Sequence, residues 1–424
     1  MRRCIMSRVL SKAKSIGLNI ALLLCICIGF MQCSTHSVSP DPKVSRELTP
    51  AERTLVQSDN KFGLKLFKEV IKEEKDKNVF ISPLSVSMAL GMTYNGANGS
   101  TQEAMQKTLE LDGLTIQEVN ESYKSLIDLL KGLDPKVRFQ IANSIWYRRS
   151  LTFEEEFINL NRTYFNAEVS GLDFSDLKAV DIINGWVDKN TNGKIKEIVD
   201  PPIDPLTVMF LINAIYFKGF WTYKFDKSLT KDDWFTLPDG SKKPCKMMIQ
   251  DGEFQYFHNA DFQAIDLPYG DGDFSMTIFL PHPKVDIDSL IAEFNQENWN
   301  LWINSFSKQE VSLEFPKFTL EYELKLNEVL TALGMGIAFD PEQADFTKMY
   351  KGPEPLFISK VKHKTFVEVN EEGTEAAAVT SVEIMTTGLP PLMRVDRPFV
   401  FAIRENKSQT ILFMGKIVEP TLKQ

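Results

Sequence analysis

Residues 374–385 constrain the fold of this chain more than any other stretch, because they read as a strand without a partner of its own. At period two, Thr374, Ala376, Ala378, Thr380, Val382 and Ile384 share one face, and Glu375, Ala377, Val379, Ser381, Glu383 and Met385 share the other. Strand side chains alternate between faces. The first face is therefore uncharged and mostly small, whereas both glutamates lie on the second. One strand-like run, 365–369, comes before this segment and another, 398–403, comes after it. A segment of this kind can slide between two existing strands, burying one face and wetting the other. The competing reading is an ordinary surface loop with an alanine run.

The rest of the body supplies helices first and strands later. Residues 60–75 place Phe62, Leu66, Phe67, Val70 and Ile71 at helical spacing. Ser82-Pro83 has the chemistry of a helix start, a serine cap with proline in the first turn. Residues 101–109, 118–130 and 182–189 read as short amphipathic helices, the last ended by Asn192-Gly193. Residues 207–216 are nearly all apolar, which predicts a strand buried on both faces. Residues 263–268 and 274–281 predict a hairpin around Tyr269-Gly270-Asp271-Gly272-Asp273, and 324–333 a helix stopped at Gly334. This order predicts an α+β fold.

The N-terminus is of another kind. Five basic residues, Arg2, Arg3, Arg8, Lys12 and Lys14, precede an apolar run over 16–31. A basic head and a short apolar core form the pattern of a secretory signal, too short for a comfortable membrane span. Cys33 directly after this core resembles the lipidated cysteine of a bacterial lipoprotein signal, although Gln32 stands where that pattern prefers a small residue. Lipidation at Cys33 and ordinary cleavage nearby both remain open. The expected organisation is a signal over 1–33, a polar tether over 34–48 and a single domain over 49–424. The expected location is secreted or held at the cell envelope, with membrane attachment only through Cys33.

Chemistry of the enzymatic kind is poorly represented. The four histidines, His36, His258, His282 and His363, form no zinc-binding pair, and the nucleotide-binding and hydrolase motifs are missing. No cofactor or metal is expected. The net charge of −9 lacks the basic footprint of a nucleic-acid partner. Cys245, the one cysteine beyond the leader region, sits in Lys242-Lys243-Pro244-Cys245-Lys246, where the lysines would depress its pKa.

The run Glu371-Glu372-Gly373-Thr374-Glu375-Ala376-Ala377-Ala378, with Val379 after it, resembles the hinge of the reactive-centre loop in the serpin family. Three further segments agree in the same order. They are Asn78-Val79-Phe80-Ile81-Ser82-Pro83-Leu84-Ser85, Asn213-Ala214-Ile215-Tyr216-Phe217-Lys218-Gly219-Phe220-Trp221 and Met393-Arg394-Val395-Asp396-Arg397-Pro398-Phe399-Val400-Phe401.

The resemblance implies three β-sheets with eight or nine helices, and an exposed loop over about 371–394. It implies a monomeric inhibitor that traps serine proteases covalently as a suicide substrate. The scissile bond would be Thr387-Gly388, with Met385-Thr386 as the alternative register. Ser82, Ser85, Asn213 and His363 would form a cluster controlling sheet opening. Trp221, and a pair formed by Lys317 and Glu371, would stand where the loop enters. The small residues around that bond, and the lack of Lys or Arg between Lys364 and Arg394, imply elastase-like or subtilisin-like targets. A non-inhibitory binding protein of the same fold is the rival reading.

Overall fold

A computed structural model describes residues 46–373 and 390–422. The signal, most of the tether, Cys33, and the loop residues Thr374 to Val379 and Met385 to Gly388 lie outside the described residues. A compact unit begins at Glu47.

Local chemistry sets the helix starts. Helix α1 (Pro50–Glu73) opens on a capping box between Thr49 and Glu52 with proline in its first turn. It begins ten residues before the apolar spacing suggested, because this cap precedes the periodic stretch. Strand β1 (Val79–Ile81) leads into α2 (Pro83–Tyr94), capped by Ser82 as its sequence predicts. Helix α3 (Gly99–Thr108) and helix α4 (Ile116–Leu130), the latter with a Thr115–Glu118 capping box, follow. Then come β2 (Val137–Arg148), α5 (Glu155–Phe165), β3 (Glu168–Leu172) and α6 (Lys178–Asn190).

The strand-rich half contains β4 (Met209–Gly219), β5 (Lys231–Thr236), β6 (Lys242–His258), β7 (Phe262–Tyr269) and β8 (Phe274–Pro281). Helices α7 (Ile287–Ala292) and α8 (Gln296–Asn304) separate these from β9 (Ser307–Pro316) and β10 (Phe318–Lys325). Helix α9 (Asn327–Leu330), β11 (Lys362–Val369), β12 (Leu392–Arg394), β13 (Phe399–Glu405) and β14 (Ile411–Ile417) complete the order.

Two expectations need correction. Strand β4 alternates buried with half-buried positions, so it is not sealed on both faces. The helix expected over 324–333 begins only at Asn327. Leu324 and Lys325 are instead drawn into a ladder with His363 and Lys362, and Gly334, at φ 111°, breaks the turn that follows α9.

Nine α-helices and three sheets are present among the described residues, an α+β fold as expected. The largest sheet runs β1-β14-β13-β8-β7-β6-β9-β12, with β5 also on β6. Its middle strands β8, β13 and β14 are buried throughout. A second sheet is β3-β2-β4 and a third is β10-β11. Strands β4 and β11 are thus edges of different sheets. Ile215, Tyr216 and Phe217 of the first line the same cleft as Phe366 and Glu368 of the second. An edge strand can present N–H and C=O groups to whatever lies beside it, so this cleft, lined also by Thr191, Lys194 and Ile195, is called the slot.

Candidate functional site: a strand slot, its mouth and the cluster beneath it

At the mouth of the slot, residues 370–373 are docked on the segment that leaves β4. Trp221 N–H donates to the Glu372 carbonyl at 3.0 Å, and Phe225 N–H to that of Glu371 at 2.9 Å. Gly373 forms a bridge with Phe220. The Trp221 indole donates to the Asn370 carbonyl at 3.0 Å and stacks on Tyr269 with ring centroids 4.4 Å apart.

Both glutamates of this turn are buried, and each has a lysine. Lys317 reaches Glu371 at 2.7 Å, Thr230 donates to the same carboxylate at 2.8 Å, and Lys227 pairs with Glu372. Burial works to raise the pKa of Glu371, but Lys317, a backbone hydrogen bond and Thr230 outweigh it and hold the carboxyl below its usual range. The Lys317–Glu371 pair read from sequence is therefore present and shielded, unlike an exposed pair of small worth. Sequence gave no sign of Thr230, Lys227 or Asn370, which meet the hinge only through long-range folding.

Beneath the slot lies a polar cluster. Ser82 N–H donates to His363 Nε2 at 2.9 Å, and Ser82 Oγ donates to the Leu412 carbonyl at 2.7 Å. Ser85 Oγ donates to the backbone carbonyl of Asn213 at 3.4 Å. The Asn213 side chain turns to Asn143, donating at 2.8 Å, and Asn143 donates to the Phe165 carbonyl at 2.7 Å. His363 stands on β11 and Asn213 on β4, so the two borders of the slot are both tied to the start of α2. Asn143, on β2, is the member that sequence missed.

His363 accepts a backbone hydrogen bond in a buried site, and burial alone brings its pKa down to about 4. The unfolded chain binds its proton more readily, with a pKa of about 6.5. The contribution of the neutral ring is therefore full above about pH 6.5 and is lost as pH falls through about 4. At about 1.4 kcal/mol per unit, the loss approaches about 3 kcal/mol. Denaturant unfolding of His363→Gln, whose amide oxygen still accepts from Ser82, should show this acid-side loss removed. An unchanged acid slope would contradict the assignment.

Cys245 corrects an expectation. Burial pushes its thiol up to about 11, with Asp233 adding to the shift, so the nearby lysines do not activate it. A protonated buried thiol is a poor nucleophile.

A fold with a cleft between edge strands of two sheets, and a chain segment docked at its mouth, belongs to the class that can accept one further strand. The family model described as Serpin (serine protease inhibitor) matches residues 57–420. Neuroserpin from Homo sapiens is 37% identical over 358 residues, covering 82% of this chain and 87% of that protein. Serpin B8 from Homo sapiens is 35% identical over 377 residues, covering 86% and 99%. The native crystal structure of tengpin, a thermophilic serpin, superposes with TM-score 0.79 at 33% identity, covering 88% of this chain and 95% of that one. Human thyroxine-binding globulin in complex with its hormone gives TM-score 0.79 at 29% identity, covering 88% and 100%. The chain belongs to the serpin family.

Proposed function

We propose that this protein inhibits elastase-like or subtilisin-like serine proteases as a suicide substrate. The protease serine attacks the Thr387 carbonyl, the amine of Gly388 leaves, and the enzyme is held as an acyl ester. Residues from Thr374 onward then enter the slot between β4 and β11 before water can complete the reaction, which drags the enzyme away from its working geometry. Strand insertion by serpin loops is an established example of such a transition. The observation that carries this reading is the cleft bordered by β4 and β11, edge strands of different sheets, with the hinge docked at its mouth. The uncharged face read from sequence suits burial there, since an unpaired charge costs several kcal/mol, roughly. Export, with attachment at the cell envelope through a lipid on Cys33, is part of the same proposal.

Thyroxine-binding globulin shares the fold and by its name carries a hormone, so the reaction of this chain has to be tested directly. The mature protein is mixed with pancreatic elastase and subtilisin and resolved on denaturing gels with mass spectrometry. A stable adduct of summed mass, with a released peptide beginning at Gly388, is expected. A peptide beginning at Thr386 would move the bond to Met385. Cleavage without adduct by every protease of a panel would overturn the inhibitory reading.

A further inference from the structure

Away from the slot, Asp59 of α1 is buried between two other helices. The Tyr123 hydroxyl of α4 donates to its Oδ1 at 2.8 Å. Its other oxygen, Oδ2, has no hydrogen-bond partner, and neither has the fully buried Oγ of Ser87 on α2, although Ser87 stands close enough to act on the carboxyl. Buried polar atoms left unpaired are costly and uncommon, and an ionised carboxylate without a cation is costlier still. Asp59 has no ion-pair partner among the described residues. Lys61 and Lys65 of the same helix pair with Glu110.

One proton resolves both orphans. We propose that Asp59 is a neutral acid in the folded protein, with the hydrogen on Oδ2 donated to Ser87 Oγ, and that this proton pins α1 to α2 and α4. Loss of the proton leaves a bare charge among three helices and loosens them.

Burial pushes this carboxyl up to about 7, against the opposing hydrogen bond of Tyr123. Tyr123 is itself held protonated, raised well above its ordinary value by burial and by Asp59. The other charged groups packed along α1 act elsewhere. Lys416 of β14 is paired with Asp288 of α7, and Glu328 of α9 acts on Glu73 at the far end of the helix. The lock is also linked by contacts to β4, one border of the slot. The Tyr123 ring packs on Phe165 at 5.3 Å, and the Phe165 carbonyl accepts from Asn143, which in turn accepts from Asn213 of β4.

The direction follows from tighter proton binding in the folded state. The contribution of Asp59 is full below its unfolded value of about 4 and is lost as pH rises through about 7. This opposes the His363 dependence, so the test compares a variant with the parent. Asp59→Asn keeps an acceptor for Tyr123 and a donor for Ser87. Relative to this variant, the parent should lose up to about a thousandfold in its folding equilibrium constant between about pH 4 and about pH 8.

Carbon-13 spectra of aspartate carboxyls should show one group titrating near pH 7 that is missing in Asp59→Asn. Ser87→Ala decides the hydrogen-bond direction and serves also if Asp59→Asn fails to fold. Its midpoint should fall if Ser87 accepts from the neutral acid. A midpoint that rises, or the absence of any aspartate titrating above about pH 5, would overturn the proposal.

Discussion

Thr374→Arg should convert the protein from a trap into a substrate. Elastase should cut the variant at the parent's bond and leave no stable adduct on a denaturing gel. The alternation in residues 374–385 puts Thr374 on the uncharged face with Ala376 and Ala378. The cleft that would receive it is walled in part by the rings of Phe217 and Phe366. Arginine would be the first inward side chain to enter, and Glu368, which lines the cleft, is already paired with Lys194 at 3.6 Å. A burial penalty of about 3 kcal/mol on insertion slows that step by about a hundredfold, and hydrolysis of the acyl ester then wins. Threonine to glutamate should behave alike, and threonine to serine should remain inhibitory. An arginine variant that formed adduct at the parent's rate would mean that insertion is not what holds the protease.

Gly373→Val should damage the resting protein before any protease arrives. Gly373 has φ 126°, a region that side chains disfavour. A Cβ built there would stand 2.3 Å from the Gly219 carbonyl oxygen and 2.7 Å from both Phe220 Cα and Trp221 N. These are backbone atoms and cannot rotate away. Strain and overlap together amount to about 3–4 kcal/mol. The protein escapes most of this by releasing residues 370–373 from Trp221 and Phe225, which strips Glu371 and Glu372 of their lysines. The expected result is a lowered unfolding midpoint with new proteolytic cleavage near Glu371 and Glu372. A variant with the parent's midpoint and protease resistance would show that the docked turn contributes little.

Much of the strand slot was legible because its parts carry local signals. Ser82-Pro83 announced the start of α2, the apolar run of β4 announced a strand, and Gly373 followed by small alternating residues announced a segment of low burial cost. Strand β2 went unread although Val137, Phe139 and Ile141 alternate with Arg138 and Gln140, and the buried Asn143 gave no local sign of its partners Phe165 and Asn213. The pairings at the mouth were half legible. Lys317 with Glu371 followed from family resemblance, whereas Lys227 with Glu372 joins residues 145 apart without any local signature. Cys245 misled because a sequence shows neighbouring charge but hides desolvation, and desolvation won. The state of Asp59 was equally hidden, since a lone aspartate in an amphipathic helix gives no hint that two other helices close over it.

The burial of β13 and β14 in the middle of the largest sheet has a practical corollary. Any cut between residues 374 and 389 separates these two strands from the rest of the chain covalently, yet leaves them gripped on either side by β8 and β1. The severed piece is core material and has no route out. A nicked molecule will therefore sediment, elute and scatter as an intact one does. Molecules nicked without a protease attached will pass unnoticed in native assays of size, and boiling in detergent will reveal them.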